Sequence, residues 1–405
     1  MKVGLFTDTY YPEINGVANS VYALKSGLEE MGHTVYVFTV TNPNTVETEK
    51  NIFRIPSVPY VFIHDRRMGI ALMSSWMKRI ENLELDVIHT NTEFTLGYLG
   101  RKAAKKFHIP LLHTYHTIYE EYTHYLKIPE NHNESVKSLI RGASRIYCDG
   151  ADEVVVPTLK VKRLLEQYGV NKNISVCPTG IDLQKFSQPD EMAVTAIKKR
   201  YQIQKTDKIL LYVGRLSKEK NMKEILSYFS VLHREDDNIK LMIVGDGPQR
   251  ENLEKQIQEE EMTKAVILTG EVPWQEISDY YHVGDIFVCA SKSETQGLTY
   301  LEAMAAGTAL VVRKDDCLKD LLIENETGYS YETQQEFMQK IRLAFDQGRL
   351  EKIGMQARHH VLKYGISYFA KNIENRYRSV INGSNYGITE NETEQPYVQD
   401  NRMAC

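Results

Sequence analysis

Glu294 and Glu302 lie eight residues apart in the run SETQGLTYLEAM, residues 293–304. Two carboxylates aimed at one cleft can accept hydrogen bonds from sugar and ribose hydroxyls. Gly297, between them, is placed to open a helix whose free N–H groups receive a phosphate. A glutamate at a helix start also has a plainer reading, favourable placement against the dipole; Glu302, inside an apolar Leu-Glu-Ala-Met run, resists it. A second group, GRLSKEKN at 214–221, follows directly on an apolar run. Arg215 offers a planar fork and Lys220 a point charge, together suited to a diphosphate. A basic loop is otherwise ordinary solvated surface, but its position after a buried strand favours a ligand. In PEINGV at 12–17, Gly16 lets a phosphate approach backbone N–H groups at a helix start. A capping turn explains that loop equally well, and the absence of Gly-x-Gly-x-x-Gly counts against a dehydrogenase.

His113 and His116 fall in HTYHTIYEEY, with Glu120 and His124 close behind. The spacing superficially suggests a metal. The His-Glu-x-x-His pattern of zinc catalysis is missing, and no Asp-x-Asp is present to hold a divalent ion on a diphosphate. No metal is expected, and one histidine is read as a polar group at the acceptor site.

These groups stand at the carboxyl ends of apolar runs, where doubly wound sheets place their ligands. KVGLF, TVYVFTV, DVIHT, IPLLHTY, EVVVP and ISVCP read as strands of one sheet. Val17, Val21, Leu24, Leu28 and Met31 fall at helical spacing, with Asn15 as cap and Gly32 as stop. The pattern breaks over 178–207 around Pro178, Gly180 and Pro189. It restarts with KILLYVG, IKLMIVG, AVILTG, DIFVCA and TALVV. Apolar strands alternating with helices mean parallel sheets covered on both faces. Two α/β domains of similar size follow, with the cleft between them as the expected site.

The length of 405 residues exceeds what one core usually organises. Hydrophobic residues at 42% and charged residues at 25% fit a soluble globular chain. A net charge of −5 argues against a nucleic-acid partner. The five cysteines show neither metal spacing nor the even count of a disulfide framework, and three sit in apolar runs as small core hydrophobes. MKVGLFTDTYYP reads as a strand and not a signal peptide, and no run approaches the ~18 apolar residues of a membrane span. A reduced cytoplasm is the expected home. The acidic, polar stretch 383–405 is expected to be disordered. Basic residues cluster locally at Arg101, Lys102, Lys105 and Lys106, at Arg66–Arg67 and at Lys78–Arg79. Between Arg66 and Leu83, Met68, Leu72, Met73, Trp76, Met77 and Ile80 form an apolar face. Such a helix either rests on an anionic bilayer or packs against its own sheet.

Taken in order and spacing, these loops, with VGDGP at 244–248 and PTGID at 178–182, resemble the retaining family 4 of glycosyltransferases over roughly residues 1–380. The resemblance implies an α/β GT-B fold, two Rossmann-like doubly wound domains facing a central cleft. An acceptor-binding domain would span 1–178 and a nucleotide-sugar-binding domain 179–365, with a helix at about 366–382 packing back on the first. It implies that Gly16 and Val17 contact the diphosphate by backbone, that Arg215 and Lys220 neutralise it, and that Glu302 binds the donor ribose. Glu294 would hold donor-sugar hydroxyls beside the N–H groups of Gly297, Leu298 and Thr299. His116 would touch the sugar at its reacting face, and Val272 would lie in the base-binding loop. No cofactor is implied, UDP-glucose being a donor substrate. The stretches GLFTDTYYPEINGVA, IHTNTEF, HTYHTIYEEYTHY and SETQGLTYLEAMAAGT resemble the bacterial glucosyldiacylglycerol synthases of that family. That resemblance implies glucose transfer to the 3-hydroxyl of 1,2-diacylglycerol, a lipid acceptor, and an anionic membrane surface at the inner face of the cell membrane. The paired-carboxylate logic of retaining glycosidases does not carry over to Glu294 and Glu302. The rival readings are transfer to another acceptor and a non-catalytic sugar-nucleotide-binding scaffold.

Overall fold

The computed structural model describes residues 1–43, 45, 50–59, 67–70, 73–126 and 133–383. Short runs rich in Val, Ile, Leu and Phe, buried on both faces, form its central strands, with shorter and more exposed ones at the margins. They are β1 Lys2–Phe6, β2 Thr34–Val40, β3 Ile52–Ile55, β4 Ser57–Pro59, β5 Arg67–Gly69, β6 Val87–Thr90, β7 Leu111–Thr114, β8 Glu153–Val156 and β9 Ile174–Val176 in the first half. The second half supplies β10 Lys208–Val213, β11 Ile239–Val244, β12 Val266–Gly270, β13 Ile286–Cys289, β14 Ala309–Arg313 and β15 Gly328–Tyr331.

The first lobe holds a seven-stranded sheet in the order β3-β2-β1-β6-β7-β8-β9, and the second a six-stranded sheet in the order β12-β11-β10-β13-β14-β15. Every ladder in both sheets is parallel; β4 and β5 form a separate antiparallel pair. Strand order reverses between β1 and β6 and again between β10 and β13, so each sheet has one crevice at its carboxyl edge. The loops at 12–17, 91–94, 214–221 and 290–297 all leave strands that flank those two crevices.

Alternation along β1 shows how the first sheet is covered. Val3 and Leu5 enter the core layer shared with the helices Gly16–Glu30 and Ile366–Ile381, whereas Phe6 points to the opposite layer and stacks on Phe38 at 4.4 Å. The helix Gly16–Glu30 starts where Asn15 accepts a hydrogen bond from the Ala18 N–H at 3.0 Å. The helix Ile366–Ile381 leaves the second lobe and buries Phe369, Ala370, Ile373 and Tyr377 against the first. That approach is close: a Cβ on Gly27 would lie 2.6 Å from the Ala370 Cβ. At its far end the Tyr377 hydroxyl meets His89 Nδ1 at 2.7 Å, while His89 Nε2 meets Thr114 Oγ1 at 2.6 Å.

The helix over Met73–Glu81 settles its own part of the choice left open for the Arg66–Leu83 segment. Met77 and Ile80 are buried in the first lobe's core, Trp76 packs against it, and the Arg79 guanidinium sits 4.5 Å over the Phe53 ring. The bilayer reading of this helix is therefore corrected. Burying each aliphatic side chain on the sheet stabilises by about 1.5–3 kcal/mol, which a solvent-facing stripe would forgo. Arg66 and Leu72 lie outside the described residues, as does 384–405, most of the stretch read as a disordered tail. The basic run at 101–106 also divides: Arg101 is bound inward, donating to the Tyr147 carbonyl at 2.6 Å and lying 4.1 Å over its ring. Lys102, Lys105 and Lys106 remain exposed. The strands β3 and β15 and the β4–β5 hairpin carry no long apolar run and were not legible as strands; pairing at sheet edges creates them. The four described cysteines, Cys148, Cys177, Cys289 and Cys317, are buried thiols.

The C-terminal helix should act as a clamp on the first lobe. Tyr377→Phe, which leaves His89 with one partner fewer, is expected to cost about 1–3 kcal/mol in urea unfolding, and Tyr377→Ala about 4 kcal/mol. Unchanged unfolding midpoints in both variants would show that the helix is dispensable for the first lobe.

Candidate active site

The loop leaving β13 turns into the helix Leu298–Ala306 at Gly297, whose φ of 79° lies in the left-handed region. A Cβ there would sit 2.3 Å from the Tyr300 ring, so the turn requires glycine on two counts. Glu302, at the start of the helix's second turn, is only 4% exposed. The Tyr281 hydroxyl donates to its Oε2 at 2.6 Å. Burial pushes the Glu302 carboxyl up to about 7, against the opposing pull of the Tyr281 hydroxyl and the Lys185 charge. Lys185 in turn donates to the Trp274 carbonyl at 2.6 Å and lies 3.6 Å over the Trp274 ring. Burial brings this ammonium down to about 8, although Glu302, Asp182 and Asp279 oppose the shift. Val272, 9% exposed, sits in the same short loop, which Lys185 thus holds from beneath.

Opposite Gly297, the loop after β10 carries Arg215 and Lys220. Gly245, at the end of β11, has a φ of 133°, and a Cβ on it would lie 2.1 Å from the Gly214 carbonyl oxygen. The VGDGP stretch therefore seats the 214–221 loop by close backbone approach. The Tyr212 hydroxyl donates to the Arg215 carbonyl at 3.1 Å, and the Arg215 side chain is exposed. Lys220 and Glu294 form an ion pair at 2.5 Å, with side chains only 24% and 13% exposed. For Glu294, burial acts to raise the carboxyl, but the Lys220 charge and hydrogen bond outweigh it and hold the group below its ordinary value. Burial likewise opposes the charge on Lys220, and Glu294 reverses the effect, so the ammonium is held well above its ordinary value.

From the first lobe, the start of the helix Gly16–Glu30 approaches the second lobe's helix: a Cβ on Gly16 would lie 3.8 Å from Leu298 Cδ1. Gly16 and Val17, Gly297, Leu298 and Thr299 thus border one cleft from its two sides. His116, just beyond β7, places Nε2 3.1 Å from Asn91 Oδ1 in the loop after β6. Burial, with His113 adding to it, pushes His116 down to about 3, so the ring is neutral and acts as a hydrogen-bonding group. His113, by contrast, is buried within β7, where Nδ1 meets the Thr90 carbonyl at 3.0 Å and Nε2 lies 3.2 Å from Glu93 Oε1. Only His116 stands past the strand end. Among the described residues no three His, Cys, Asp or Glu side chains are grouped to hold a metal ion; the His124 side chain is outside them.

Sequence reading passed over Tyr281, Lys185, Trp274 and Asn91, each of which orients a group it singled out. Nothing in their local pattern marks them. Tyr281 and Lys185 come from helices that touch the Leu298–Ala306 helix only in the folded lobe.

Residues 14–185 match the family described as Glycosyltransferase Family 4, and residues 193–360 match Glycosyl transferases group 1. The chain is 40% identical over 335 residues to the alpha-monoglucosyldiacylglycerol synthase of Streptococcus pneumoniae, covering 82% of this chain and 75% of that protein. It is 30% identical over 393 residues to the alpha-monoglucosyldiacylglycerol synthase of Acholeplasma laidlawii, covering 95% and 98%. Among solved structures, HepE from Anabaena in complex with UDP superposes with a TM-score of 0.75 at 15% identity, over 94% of this chain and 100% of that one. The shared fold is GT-B.

Because Lys220 and Glu294 neutralise each other out of water, removing one strands the other. Lys220→Met alone is expected to lose about 3 kcal/mol of stability. Lys220→Met with Glu294→Gln should lose less than the sum of the two single variants, with a coupling of about 2 kcal/mol in a double-mutant cycle. Additive losses would mean that the pair does not form in solution.

Proposed function

The chain belongs to the group 1 and family 4 glycosyltransferases, and from that membership we propose that it moves glucose from UDP-glucose to the 3-hydroxyl of 1,2-diacylglycerol with retention of configuration. The observation that carries this reading is the half-buried Lys220–Glu294 pair beside the glycine-opened helix that bears Glu302. It gathers cations for a diphosphate and carboxylates for hydroxyls in one cleft. The acceptor follows from the two relatives named alpha-monoglucosyldiacylglycerol synthase, one of them alignable over 95% of the chain.

In this reading the ribose hydroxyls donate to Glu302 and the base lies against the Val272 loop. The diphosphate is met by Arg215, Lys220 and the N–H groups of Gly16, Val17, Leu298 and Thr299. Donor binding exchanges one partner of Lys220 for another: the phosphate oxygens take its ammonium, and the Glu294 carboxylate turns to the sugar hydroxyls. As the bond between the sugar and the diphosphate breaks, negative charge grows on the leaving oxygen. Arg215 and Lys220 stabilise that charge where it develops, the electrostatic contribution that usually dominates. They supply the positive charge that a divalent ion would otherwise bring. The acceptor hydroxyl approaches the face that the diphosphate vacates, and a phosphate oxygen takes its proton. Neutral His116 can hydrogen-bond the sugar without adding a competing charge.

Contact with a lipid surface is assigned to the first lobe, though not to the helix Met73–Glu81. Val58 and Met68 face each other across the β4–β5 pair, Ile70 follows, and Gly69 packs against Thr95 and Leu96. This brings the hairpin beside Phe94 and Tyr98, and all five apolar side chains are 40–55% exposed. Lys102 lies 5.2 Å over the Tyr98 ring, so the patch has a basic edge suited to anionic lipid, at about 1 kcal/mol per well-placed cation. No helix among the described residues is long and apolar enough to cross a membrane.

Incubation with UDP-glucose and diacylglycerol in anionic liposomes should yield a lipid heavier by one hexose, and the anomeric proton signal should report the α configuration. Arg215→Ala should lower turnover by about two orders of magnitude or more while folding normally. Release of UDP without a lipid product would move the search to another acceptor, and no UDP release at all would favour a binding protein. Glu302 supplies a second check. Its carboxyl, raised to about 7, loses its charge as pH falls, so the KM for the donor should rise several-fold between pH 7.5 and 6. Glu302→Gln should flatten that profile; a wild-type profile without the rise would remove Glu302 from donor binding.

A further inference from the structure

Of the three residues before Gly297, two are held by groups of the first lobe and the third by Thr179, where the two lobes join. Lys160 donates to the Glu294 carbonyl at 3.0 Å and to both carboxylate oxygens of Asp315 at 2.9 Å. Thr158 donates to the Thr295 carbonyl at 2.8 Å. The Gln296 side chain accepts from the Thr179 N–H at 2.8 Å and donates to the Thr179 carbonyl at 2.9 Å, while the Thr179 hydroxyl lies 3.2 Å from that of Ser20. Thr158 occupies the N-cap position of the helix Leu159–Gln167, where a threonine ordinarily accepts from its own helix. Here it makes no such bond and turns its hydroxyl outward to the second lobe. All three ammonium hydrogens of Lys160 have acceptors in the second lobe. Its pair with Asp315 is poorly hydrated, the side chains being 17% and 8% exposed. Such a group gains little from screening by water and tolerates little misalignment.

Resting on the donor site described above, we propose that Lys160, with Thr158, is a positioning residue that sets the donor-sugar loop from across the cleft. Apart from the Gly16 and Val17 N–H groups, the nucleotide is bound by the second lobe's own elements: the 214–221 loop, and the base loop that Lys185 holds from within that lobe. The sugar end is different. Glu294 takes its working place only when the first lobe grips the backbone on which it stands. Opening the cleft breaks the Lys160 and Thr158 contacts together, so the sugar pocket is complete in the closed form alone. Sugar transfer is thereby tied to closure more tightly than nucleotide binding, which draws only Gly16 and Val17 from the first lobe. Lys160 itself touches no reacting atom.

The test compares the full-length wild type with Lys160→Met, Lys160→Arg and Thr158→Val. UDP affinity is measured by calorimetry, and UDP release from UDP-glucose is followed with and without lipid acceptor. Lys160→Met should keep UDP affinity within about threefold, because the nucleotide contacts, apart from those of Gly16 and Val17, lie in the second lobe. Its kcat should fall about 100-fold, the order expected when a reacting partner is misplaced by about an ångström. Lys160→Arg, which keeps a cation for Asp315, should recover at least about tenfold of that loss. If Lys160→Met folds poorly, Thr158→Val serves in its place, with a fall in kcat of about tenfold at unchanged UDP affinity. Wild-type turnover in both Lys160→Met and Thr158→Val would overturn the proposal, as would a loss of UDP affinity as large as the loss of turnover. Since UDP release is followed irrespective of acceptor, a wrong acceptor assignment leaves this readout intact. A wild-type chain without affinity for UDP would sink the donor reading and this inference together.

Discussion

A carboxylate and an ammonium can be taken out of water at a lobe interface only if they meet, and the Lys220–Glu294 pair sets the terms for the rest of this site. Each partner shifts the other toward its charged form against the effect of burial. The loops that carry them must consequently be held to within a few tenths of an ångström. Glycines at 245 and 297 permit the close backbone approach and the left-handed turn that this requires. In the proposed reading the pair also keeps both charges in readiness, an arriving diphosphate replacing Glu294 as the partner of Lys220 and releasing it toward hydroxyl groups.

The surrounding architecture is one construction used twice. Each sheet reverses its strand order once, and in each the crevice at that reversal collects the loops with functional side chains. The lobes are also tied directly to each other. The helix Ile366–Ile381 returns from the second lobe to complete the core of the first, and the Lys160–Asp315 pair closes a second seam beside the cleft. Burial in that environment also fixes protonation. His89 and His116 are driven neutral, while Glu302 is brought to where modest changes of pH alter its charge.

Much of this was legible in the chain itself. Runs such as KILLYVG and IKLMIVG, apolar over both faces of a strand, leave little choice but a parallel sheet under two layers of helix. The glycine at 297 and the charged residues at 215, 220, 294 and 302 sit directly after such runs, so their neighbourhood to a ligand crevice followed from strand polarity. The β4–β5 pair and the edge strands β3 and β15 were not legible, because their short, mixed sequences carry no apolar run and only pairing with a neighbouring strand creates them. The apolar face between Arg66 and Leu83 was legible as a face, but periodicity is the same whether a stripe meets lipid or a sheet. Met77 and Ile80 meet the sheet.

Local sequence therefore determined the two-lobed α/β plan, the loops at which chemistry collects and the kinds of side chain placed there, because strand and helix periodicity and the glycine turns act within a few residues. Only the tertiary structure decided which of those side chains touch. Lys160 lies in an unremarked helical stretch, and Asp315 and Glu294 are more than 130 residues away from it in sequence. Their meeting depends on two separately folded sheets facing each other, and electrostatic energy falls with distance in space and has no memory of distance along the chain.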